Sequence, residues 1–438
     1  MTRALTPDYE TRTTAAEARR VTAAGSIGFF VENYDNSVYG FLAGIVAIVF
    51  FPEGAEQLAL LFTLGIFAVS FFFRPVGGVV IGIVADRFGR RPAMVFALTL
   101  MAGATTVVGL LPGYASWGVW SVIILLLMRM IQGVSVGGEV SAAFSFVGEH
   151  APPRRRAFFM SFASAASTLA NLAGTGFAFL LTSALPAAAM ESWGWRIPFL
   201  LAAPLGIIGF YIRRRLEDTP AFAELKAEGK VARNPLRDAF SRGNRRRLAL
   251  AFVLPLLNSA GFFVLFVYMP TYMTSQLSYE RSDGLIVSVV ALAVCTIAIP
   301  FAGLVADRVG RRPVMLSSCA LVVLLAVPTY LLVGTGTVQL AVLGGALLAF
   351  VFAGNYATIH PLMIEMFPTH MRTTAYSLGY NVTTAVFGGA APLILSALYL
   401  STGNLLLPGF FIGLAAVGTG IAALVKKETV GRSLTQFV

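Results

Sequence analysis

An eleven-residue segment occurs twice in this sequence, as GIVADRFGRRP at 82–92 and as GLVADRVGRRP at 303–313. Apolar runs long enough to cross a bilayer flank both copies, so we expect each copy to form a tight, water-facing turn between two membrane helices. A second pattern, ExxPxxxR, begins at Glu149 and again at Glu365. The offsets are similar, 303 − 82 = 221 and 365 − 149 = 216 residues. Two signatures repeated in the same order indicate an internally duplicated chain.

The composition is that of an integral membrane protein. Of the 438 residues, 57% are hydrophobic and 12% are charged, a balance that suits the bilayer better than a soluble core. A helix of about 20 apolar residues crosses the hydrocarbon layer, and the chain has twelve such runs between its polar clusters. The sequence therefore predicts an all-α membrane protein with twelve transmembrane helices in two pseudo-symmetric six-helix bundles. The predicted helices are 21–50, 57–84, 92–111, 117–147, 157–183, 195–213, 247–275, 283–305, 313–333, 338–364, 372–400 and 404–426.

The positions of Lys and Arg predict the orientation of the chain. An even number of helices places both termini on one side of the membrane. Basic residues crowd the N-terminal segment, both GRR turns and the connection from 213 to 247, whereas the connections on the opposite side contain only Arg281. Because cytoplasmic loops are enriched in Lys and Arg, we expect a multi-pass protein of the plasma (inner) membrane with both termini cytoplasmic. The excess of Lys and Arg on the cytoplasmic side accounts for the net charge of +11, so the charge does not indicate a nucleic-acid-binding protein.

Polar segments divide the chain into five parts. The first 20 residues lack the apolar stretch and cleavage site of a secretory signal, so they are expected to form a retained tail. The longest polar segment has basic ends, at 213–215 and 245–247, and is predicted to link the two bundles. The two cysteines lie within predicted helices and the three histidines are scattered, so we expect no disulfide framework, no metal site and no cofactor. The predicted parts are a cytoplasmic N-terminal tail (1–20), the first bundle (21–213), a cytoplasmic linker (214–246), the second bundle (247–426) and a cytoplasmic C-terminal tail (427–438).

Several stretches resemble the major facilitator superfamily. Its signature GxxxDRxGRR lies between the second and third predicted helices and again between the eighth and ninth. IGFFVENYD, RMIQGVSVGGE, WGWRIPF, LEDTPAF and EMFPTHMRTTAYSLGYNVTTAVFGGAAP further resemble the metabolite:proton symporter group, which includes carriers for citrate, 2-oxoglutarate, shikimate and proline or betaine. The resemblance implies a monomeric secondary transporter that moves a small molecule and protons across the lipid bilayer by alternating access. The chain departs from the group at Asn33 and Asn36, which stand beside the acidic pair of the first helix where aromatics are usual.

Ionisable residues within the predicted helices are candidates for proton coupling. At 1.5 Å per residue, Glu32, Arg74 and Glu139 all lie roughly 15 to 18 Å from the cytoplasmic ends of their helices. A charged group at that depth is costly unless it is paired or faces water, so such residues are often functional. We therefore expect Glu32, Asp35 or Glu139 to carry the coupled proton. A structural ion pair with Arg74 is the alternative.

Arginines and amides within the helices are candidates for substrate binding. Arginine can hold a carboxylate with two parallel hydrogen bonds, so Arg74 and Arg129 are predicted to bind an anionic substrate. Arg129 could instead bond to backbone carbonyls and hold the first bundle together. For each amide, hydrogen bonding between helices is the alternative to substrate binding. The other predicted substrate-binding residues are Asn36, Tyr39, Gln132, Asn171, Asn258, Asn355 and Asn381.

The repeated motifs predict a cytoplasmic gate. In the superfamily the Asp of the motif bonds across the bundle interface, which implies contacts of Asp86 with the start of the eleventh helix and of Asp307 with the start of the fifth. Such a latch would form when the carrier is open outward and break when it opens inward. Alternatively, the arginines only follow the positive-inside rule. The predicted gate residues are Gly82, Asp86, Arg87, Gly89, Arg90, Arg91, Glu149, Arg156, Gly303, Asp307, Arg308, Gly310, Arg311, Arg312, Glu365 and Arg372.

Together these features predict a proton-coupled symporter that imports a small organic acid, a di- or tricarboxylate. Two alternatives keep the same fold: transport of a zwitterion of the proline or betaine type, and export of a metabolite or drug. A membrane-embedded enzyme would need a nucleophile, a base or metal ligands clustered at one membrane face. The sequence shows no such cluster, so we do not expect an enzyme.

Overall fold

The computed structural model describes residues 15–52 and 56–434 and contains twelve long helices in that part of the chain. Residues 1–14 and 435–438, which belong to the predicted tails, lie outside the described residues. Helix α1 begins earlier than the predicted residue 21, so the predicted tail 1–20 overlaps the helix. The twelve helices are α1 (Ala15–Phe50), α2 (Glu56–Phe88), α3 (Arg90–Leu110), α4 (Val119–His150), α5 (Arg156–Ala184), α6 (Ala187–Arg214), α7 (Arg242–Leu277), α8 (Arg281–Val309), α9 (Arg311–Val333), α10 (Val338–Ile364), α11 (Arg372–Thr402) and α12 (Leu407–Val425).

Eleven of these helices, α2 to α12, contain a stretch long and apolar enough to span a membrane. Helix α1 differs because a run of polar residues, 32–36, lies in its middle. It nevertheless packs within the first bundle, against α5, α4 and α2. Ionisable residues at the centre of a membrane helix are costly unless they face the interior of the bundle. The polar run of α1 is therefore a candidate functional site.

The repeated turns are much tighter than the sequence predicted. Helix α2 continues to Phe88 and α3 begins at Arg90, so Gly89 alone separates them, with a φ of 113°. Gly310 separates α8 from α9 in the same way, with a φ of 124°. A residue with a side chain rarely adopts this backbone conformation, which is why both turns use glycine. The prediction of water-facing turns is wrong for Arg90 and Arg311, whose side chains are completely buried.

The connection between the bundles contains two short helices, Pro220–Ala227 and Pro235–Ala239. Thr219 caps the first by accepting a hydrogen bond from the Phe222 amide, and Asn234 caps the second in the same manner. Each helix starts with proline, which suits the first helical position because its missing N–H would be unpaired there. The linker is therefore a folded segment that packs against the bundles.

Small residues bring helices close together within and between the bundles. In the first bundle, a Cβ on Gly137 would lie 1.9 Å from the Arg74 carbonyl oxygen, so α2 and α4 touch through their backbones. Between the bundles, α2 packs against α11 and α5 packs against α8. Gly82 faces the backbone of Thr374 in the first contact, and Gly303 faces Ser161 in the second. Close approach at small residues is typical of membrane helices, and a glycine provides it at both contacts between the bundles.

Candidate functional site

Glu32 and Arg74 face each other near the middle of the first bundle. Their closest charged atoms, Oε1 and Nη1, are 3.9 Å apart, which is longer than a hydrogen bond. Both side chains are buried, and among the described residues neither Glu32 Oε2 nor Arg74 Nε has a hydrogen-bond partner. The Arg74 guanidinium lies 4.2 Å from the centre of the Phe71 ring. Buried polar atoms are rarely left without partners, so this loose pair has unused capacity to bind other groups.

Asp35 and Arg129 form a much tighter pair. Arg129 Nη1 donates to Asp35 Oδ2 at 2.7 Å, and Gln132 Nε2 donates to Asp35 Oδ1 at 3.1 Å. Gln132 also donates to Thr105 Oγ1. The guanidinium carbon of Arg129 lies 3.5 Å from the centre of the Tyr39 ring, which covers it. Asp35 thus neutralises Arg129 through Nη1, whereas Arg129 Nε and Nη2 have no hydrogen-bond partner among the described residues.

Glu139 is paired with Arg213, a partner that was not predicted from the sequence. Arg213 donates to both carboxylate oxygens of Glu139, at 2.5 and 3.0 Å, and its other hydrogen bonds go to the backbone carbonyls of Ala24 and Met94 among others. Arg213 is the last residue of the predicted first bundle and the first of the basic cluster 213–215, and its side chain is buried within that bundle. Arg213 therefore ties the end of α6 to α1, α3 and α4.

The predicted amides of the first bundle lie beside each other on α1 and α5. Asn171 accepts a hydrogen bond from Ser37 Oγ at 2.5 Å and donates to Asn33 Oδ1 at 3.2 Å. Asn36 is half-buried, and the described structure gives its side chain no hydrogen bond. Tyr39, one turn further along α1, donates to the Thr63 carbonyl oxygen. Asn36 is thus the amide of this group that is available to a ligand.

The predicted amides of the second bundle each have a different hydrogen-bond partner. Asn258 accepts a hydrogen bond from the Tyr380 hydroxyl at 3.0 Å. Asn355 Nδ2 lies 3.0 Å from the Met315 sulfur. Asn381 Nδ2 donates to the Gly137 carbonyl oxygen at 2.7 Å and so joins α11 to α4 across the bundle interface. The prediction that Asn381 binds substrate is at odds with this contact, because its amide group already holds the two bundles together.

The two motif aspartates make equivalent contacts across the bundle interface. Asp86 accepts hydrogen bonds from the backbone amides of Thr373 and Thr374 at the start of α11, at 3.2 and 2.8 Å. Asp307 accepts from the backbone amides of Ala157 and Phe158 at the start of α5, at 3.1 and 2.7 Å. A carboxylate is favourable at a helix N-terminus because the amides there are unpaired. We call the end of the bundles that contains Gly89 and Gly310 the motif end.

Each repeated glutamate bridges the two bundles through a pair of arginines. Glu149 Oε1 lies 3.3 Å from Arg90 Nη2 of its own bundle and 2.5 Å from Arg372 Nη1 of the other. Glu365 Oε1 lies 2.9 Å from Arg311 of its own bundle and 2.8 Å from Arg156 of the other. All six side chains are completely buried. Removing one partner of a buried ion pair is strongly destabilising, so the motif end is firmly closed in this structure.

Four of the predicted gate arginines do not reach the glutamates. Arg87 and Arg308 are exposed at the ends of α2 and α8. Arg91 donates to the Arg214 carbonyl oxygen, and Arg312 donates to the carbonyl oxygens of Ala423 and Leu424. A single glycine separates the two helices of each motif. Of the motif arginines, only the one directly after that glycine therefore points into the interface between the bundles.

Two acidic residues outside the motifs complete the motif end and were missed in the sequence. Asp218, after α6, accepts hydrogen bonds from the backbone amides of Arg90 and Arg91, and burial raises the pKa of its carboxyl above the usual range. Glu428, after α12, accepts from the backbone amides of Arg311 and Arg312. Each caps the helix that follows the motif glycine. The short repeat Asp-Thr at 218–219 and Glu-Thr at 428–429, with an offset of 428 − 218 = 210 residues, was the signal available.

The segment after α12 also contacts both bundles. Arg156 of the first bundle donates to the Arg432 carbonyl oxygen at 3.3 Å, and Arg372 of the second donates to the Leu434 carbonyl oxygen at 3.4 Å. Thr429 donates from its hydroxyl to Glu365 Oε2. Part of the predicted C-terminal tail thus packs against the motif end of both bundles.

The comparisons with known proteins agree with this architecture. The family model described as Major Facilitator Superfamily matches residues 25–392. The chain belongs to this superfamily. A solved superfamily member, a proton:xylose symporter bound to 6-bromo-6-deoxy-D-glucose, matches with a TM-score of 0.80 over 97% of this chain and 98% of that one. At 17% sequence identity this match shows the shared fold alone.

The chain is also similar to two bacterial transporters over most of its length. The chain is 34% identical over 429 residues to the proline/betaine transporter of Escherichia coli K12, which covers 95% of this chain and 85% of that protein. It is 30% identical over 393 residues to the citrate-proton symporter of Klebsiella pneumoniae, which covers 89% of this chain and 87% of that protein. This superfamily member is therefore a membrane transporter rather than an enzyme.

Proposed function

We propose that this protein is a proton-coupled symporter for a small zwitterion of the proline or betaine type. The observation that carries the proposal is the loose pair of Glu32 and Arg74, whose charged atoms are 3.9 Å apart and incompletely bonded. Arg74 is available for the substrate carboxylate once Glu32 is protonated, and the Phe71 ring beside it offers aromatic surface to a cationic group. A zwitterion adds no net charge to the membrane interior, where an unpaired charge is costly.

The geometry argues against the di- or tricarboxylate that we expected from the sequence. That expectation needed both Arg74 and Arg129, but Arg129 is neutralised by Asp35 at 2.7 Å and covered by Tyr39. A substrate with two or three carboxylates would then leave buried negative charge uncompensated, which is costly. The names of the two relatives favour the same choice, since the proline/betaine transporter is 34% identical and the citrate-proton symporter 30% identical to this chain.

Glu32 is the proposed proton carrier. Asp35 has both carboxylate oxygens bonded and Glu139 is held by Arg213, whereas Glu32 Oε2 is unbonded among the described residues. Protonation of Glu32 removes the negative charge that faces Arg74, which then binds the substrate carboxylate. Proton and substrate thereby favour each other's binding, as symport requires. Phe71, which contacts Arg74, and Phe263, whose ring centre lies 5.2 Å from that of Phe71, provide aromatic surface for the ammonium end.

The motif end serves as the cytoplasmic gate in this proposal. Both termini would be cytoplasmic in the inner membrane, and the carrier would act as a monomer in the lipid bilayer. Breaking the contacts of Asp86, Asp307 and the two glutamates would open the site inward, and forming them would close it. Repeated contacts at one end of two bundles suit alternating access around a central site.

Uptake by the purified protein in liposomes tests the proposal. With an inward proton gradient, labelled proline or betaine is expected to accumulate and to leak out when a protonophore is added. Citrate, 2-oxoglutarate and shikimate are not expected to accumulate. Accumulation of a carboxylate alone, or zwitterion uptake that ignores the gradient, would contradict the proposal.

A pair of arginine variants tests the assignment of the substrate site. Arg74→Gln is expected to raise KM for the zwitterion strongly because it removes the group that binds the carboxylate. Arg196→Gln is the matched control, since the Arg196 guanidinium on α6 donates to the carbonyl oxygens of Gly109 and Leu111 and, among the described residues, forms no ion pair with the central acidic residues. Equal KM values for Arg74→Gln and the wild type would exclude Arg74 from the site.

A further inference from the structure

An amide in the second bundle has a buried hydrogen-bond donor without a partner. Asn258 lies on α7 and is 2% exposed, and its Oδ1 accepts a hydrogen bond from the Tyr380 hydroxyl at 3.0 Å. Its Nδ2 has no hydrogen-bond partner among the described residues. Because buried polar groups are normally hydrogen-bonded, the Asn258 NH2 group is a donor available to a ligand.

Arg74 in the first bundle also has a donor without a partner. Its side chain is buried, and its Nε makes no hydrogen bond among the described residues. The Glu32 carboxylate is 3.9 Å from Arg74 Nη1, which is too far for a hydrogen bond. Each bundle thus contributes one buried side chain that can donate to a further group.

Contacts of α11 place Tyr380, the partner of Asn258, at the level of Arg74. The next residue on α11, Asn381, donates to the Gly137 carbonyl oxygen at 2.7 Å. A Cβ on Gly137 would lie 1.9 Å from the Arg74 carbonyl oxygen, so α2, α4 and α11 meet at this point. The Tyr380 hydroxyl accordingly lies within electrostatic range of Arg74.

A second contact brings α7 to the same place. Phe263, on the same helix as Asn258, has its ring centre 5.2 Å from that of Phe71 in the first bundle. The Phe71 ring centre in turn lies 4.2 Å from the guanidinium carbon of Arg74. The helices that carry Asn258 and Tyr380 therefore both meet the first bundle beside Arg74.

We propose that Asn258 forms the second half of the site for the substrate carboxylate. One carboxylate oxygen binds Arg74 in the first bundle, and the other accepts a hydrogen bond from Asn258 Nδ2 in the second. Tyr380 is a positioning residue, because its hydroxyl binds Asn258 Oδ1 and so leaves the NH2 group for the substrate. The inference rests on the proposed function, in which protonation of Glu32 makes Arg74 available.

This arrangement suits a substrate with a single carboxylate. Asn258 adds a donor but no positive charge, so Arg74 alone balances the negative charge of the substrate. A second carboxylate would bring a buried negative charge that Asn258 cannot balance, which is costly. Because the two oxygens bind opposite bundles, the bound carboxylate also joins α2 to α7. A substrate site between the two repeats is typical of secondary transporters.

Counterflow of labelled betaine in proteoliposomes tests the inference, because it gives KM without a proton gradient. Asn258→Ala is expected to raise KM about tenfold or more, since a hydrogen bond to a charged group is lost. The maximal rate should change little, as expected when an interaction with the bound substrate is removed. Asn258→Asp should raise KM further, because a negative charge replaces the donor and repels the substrate carboxylate.

Gln276→Ala is the matched control. Gln276 lies on α7, and its Nε2 donates to the Tyr268 hydroxyl at 2.6 Å, so this variant also removes an amide–tyrosine hydrogen bond from the same helix. It lies 276 − 258 = 18 residues beyond Asn258. We expect Gln276→Ala to keep the wild-type KM for betaine.

Tyr380→Phe tests the positioning role. The variant removes the hydroxyl that binds Asn258 Oδ1, so KM for betaine should rise, but by less than in Asn258→Ala. In the Asn258→Ala background, Tyr380→Phe should add no further rise, because no amide is left to position. A rise of the same size in both backgrounds would show that Tyr380 does not act through Asn258 and would overturn this role.

The outcomes separate the inference from the proposed function. If Arg74→Gln raises KM for betaine while Asn258→Ala and Asn258→Asp keep the wild-type value, the inference is overturned and the proposed function stands. If Arg74→Gln also keeps the wild-type KM, the proposed function fails. Should Asn258→Ala not fold, Asn258→Leu fills the space without a donor and is expected to show the same rise. A wild-type KM in folded Asn258→Leu would likewise overturn the inference.

Discussion

The two halves of the molecule are alike at the motif end and different at the centre. At the motif end Asp86 and Asp307 cap equivalent helices, and Glu149 and Glu365 bridge equivalent arginines. At the centre the first bundle buries three acidic residues and their arginine partners. In the part of the second bundle that the structure describes, all buried Asp, Glu, Lys and Arg side chains lie at the motif end.

The difference separates two tasks. In the proposed mechanism, opening and closing involve both bundles equally, which accounts for contacts repeated in both halves. Binding a proton needs a titratable group in one place only, and each additional buried charge is costly. The counterpart of Glu139 by the 216-residue offset is Asn355, a neutral amide that contacts Met315. We infer that the first bundle supplies the coupling chemistry and the second supplies neutral surface.

The largest expected effect concerns the charged centre of the first bundle. Arg129→Gln leaves the buried Asp35 carboxylate without its arginine, so we expect a loss of about 3–5 kcal/mol in stability. Asn355→Ala in the second bundle removes only neutral contacts and should cost about 1–2 kcal/mol. Unfolding of both variants in detergent measures the difference, and the double variant Asp35→Asn with Arg129→Gln should recover part of the first loss. Equal losses of stability for Arg129→Gln and Asn355→Ala would contradict the proposed difference between the two bundles.

An intermediate effect is expected at the motif end, with equal size in both halves. Asp86→Ala and Asp307→Ala each remove a carboxylate that accepts two backbone hydrogen bonds across the interface, so each should favour opening by about 2 kcal/mol. The measurement is the labelling rate of a cysteine placed at Ser377, which contacts the Gly137 carbonyl oxygen between the bundles. If one variant speeds labelling and the other leaves it unchanged, the two halves do not share the gate equally.

The smallest effect is expected at the caps and depends on pH. Burial raises the pKa of Asp218, so the stability linked to protonation of its carboxyl is full below the usual Asp pKa and is lost as pH rises through the raised value. Asp218→Asn keeps an oxygen that can accept the same amide hydrogen bonds, so it should protect the amides of Arg90 and Arg91 at every pH. Hydrogen exchange, corrected for its intrinsic pH dependence, measures this protection. A variant with the pH dependence of the wild type would contradict the account.

The sequence was most informative where it repeats itself. The twelve helices followed from apolar runs between polar clusters, and the contacts of Asp86 and Asp307 followed from the duplicated motif, because a repeat exposes a common structural role. Arg213 was not predictable, since its pairing with Glu139 joins residues 74 positions apart and depends on where α6 ends against α4. For Arg129 the sequence left substrate binding and a structural role open, because helical spacing does not show that its Nη1 lies 2.7 Å from an Asp35 oxygen.

Simultaneous recording of proton and substrate entry for the wild type and Glu32→Gln tests the central claim most directly. We predict that wild-type proteoliposomes take up protons together with labelled proline or betaine in a fixed ratio. Glu32→Gln should exchange substrate without proton entry, because the group that carries the proton is gone while Arg74 still binds the carboxylate. Proton entry with substrate in Glu32→Gln at the wild-type ratio would contradict the assignment of coupling to the charged centre of the first bundle.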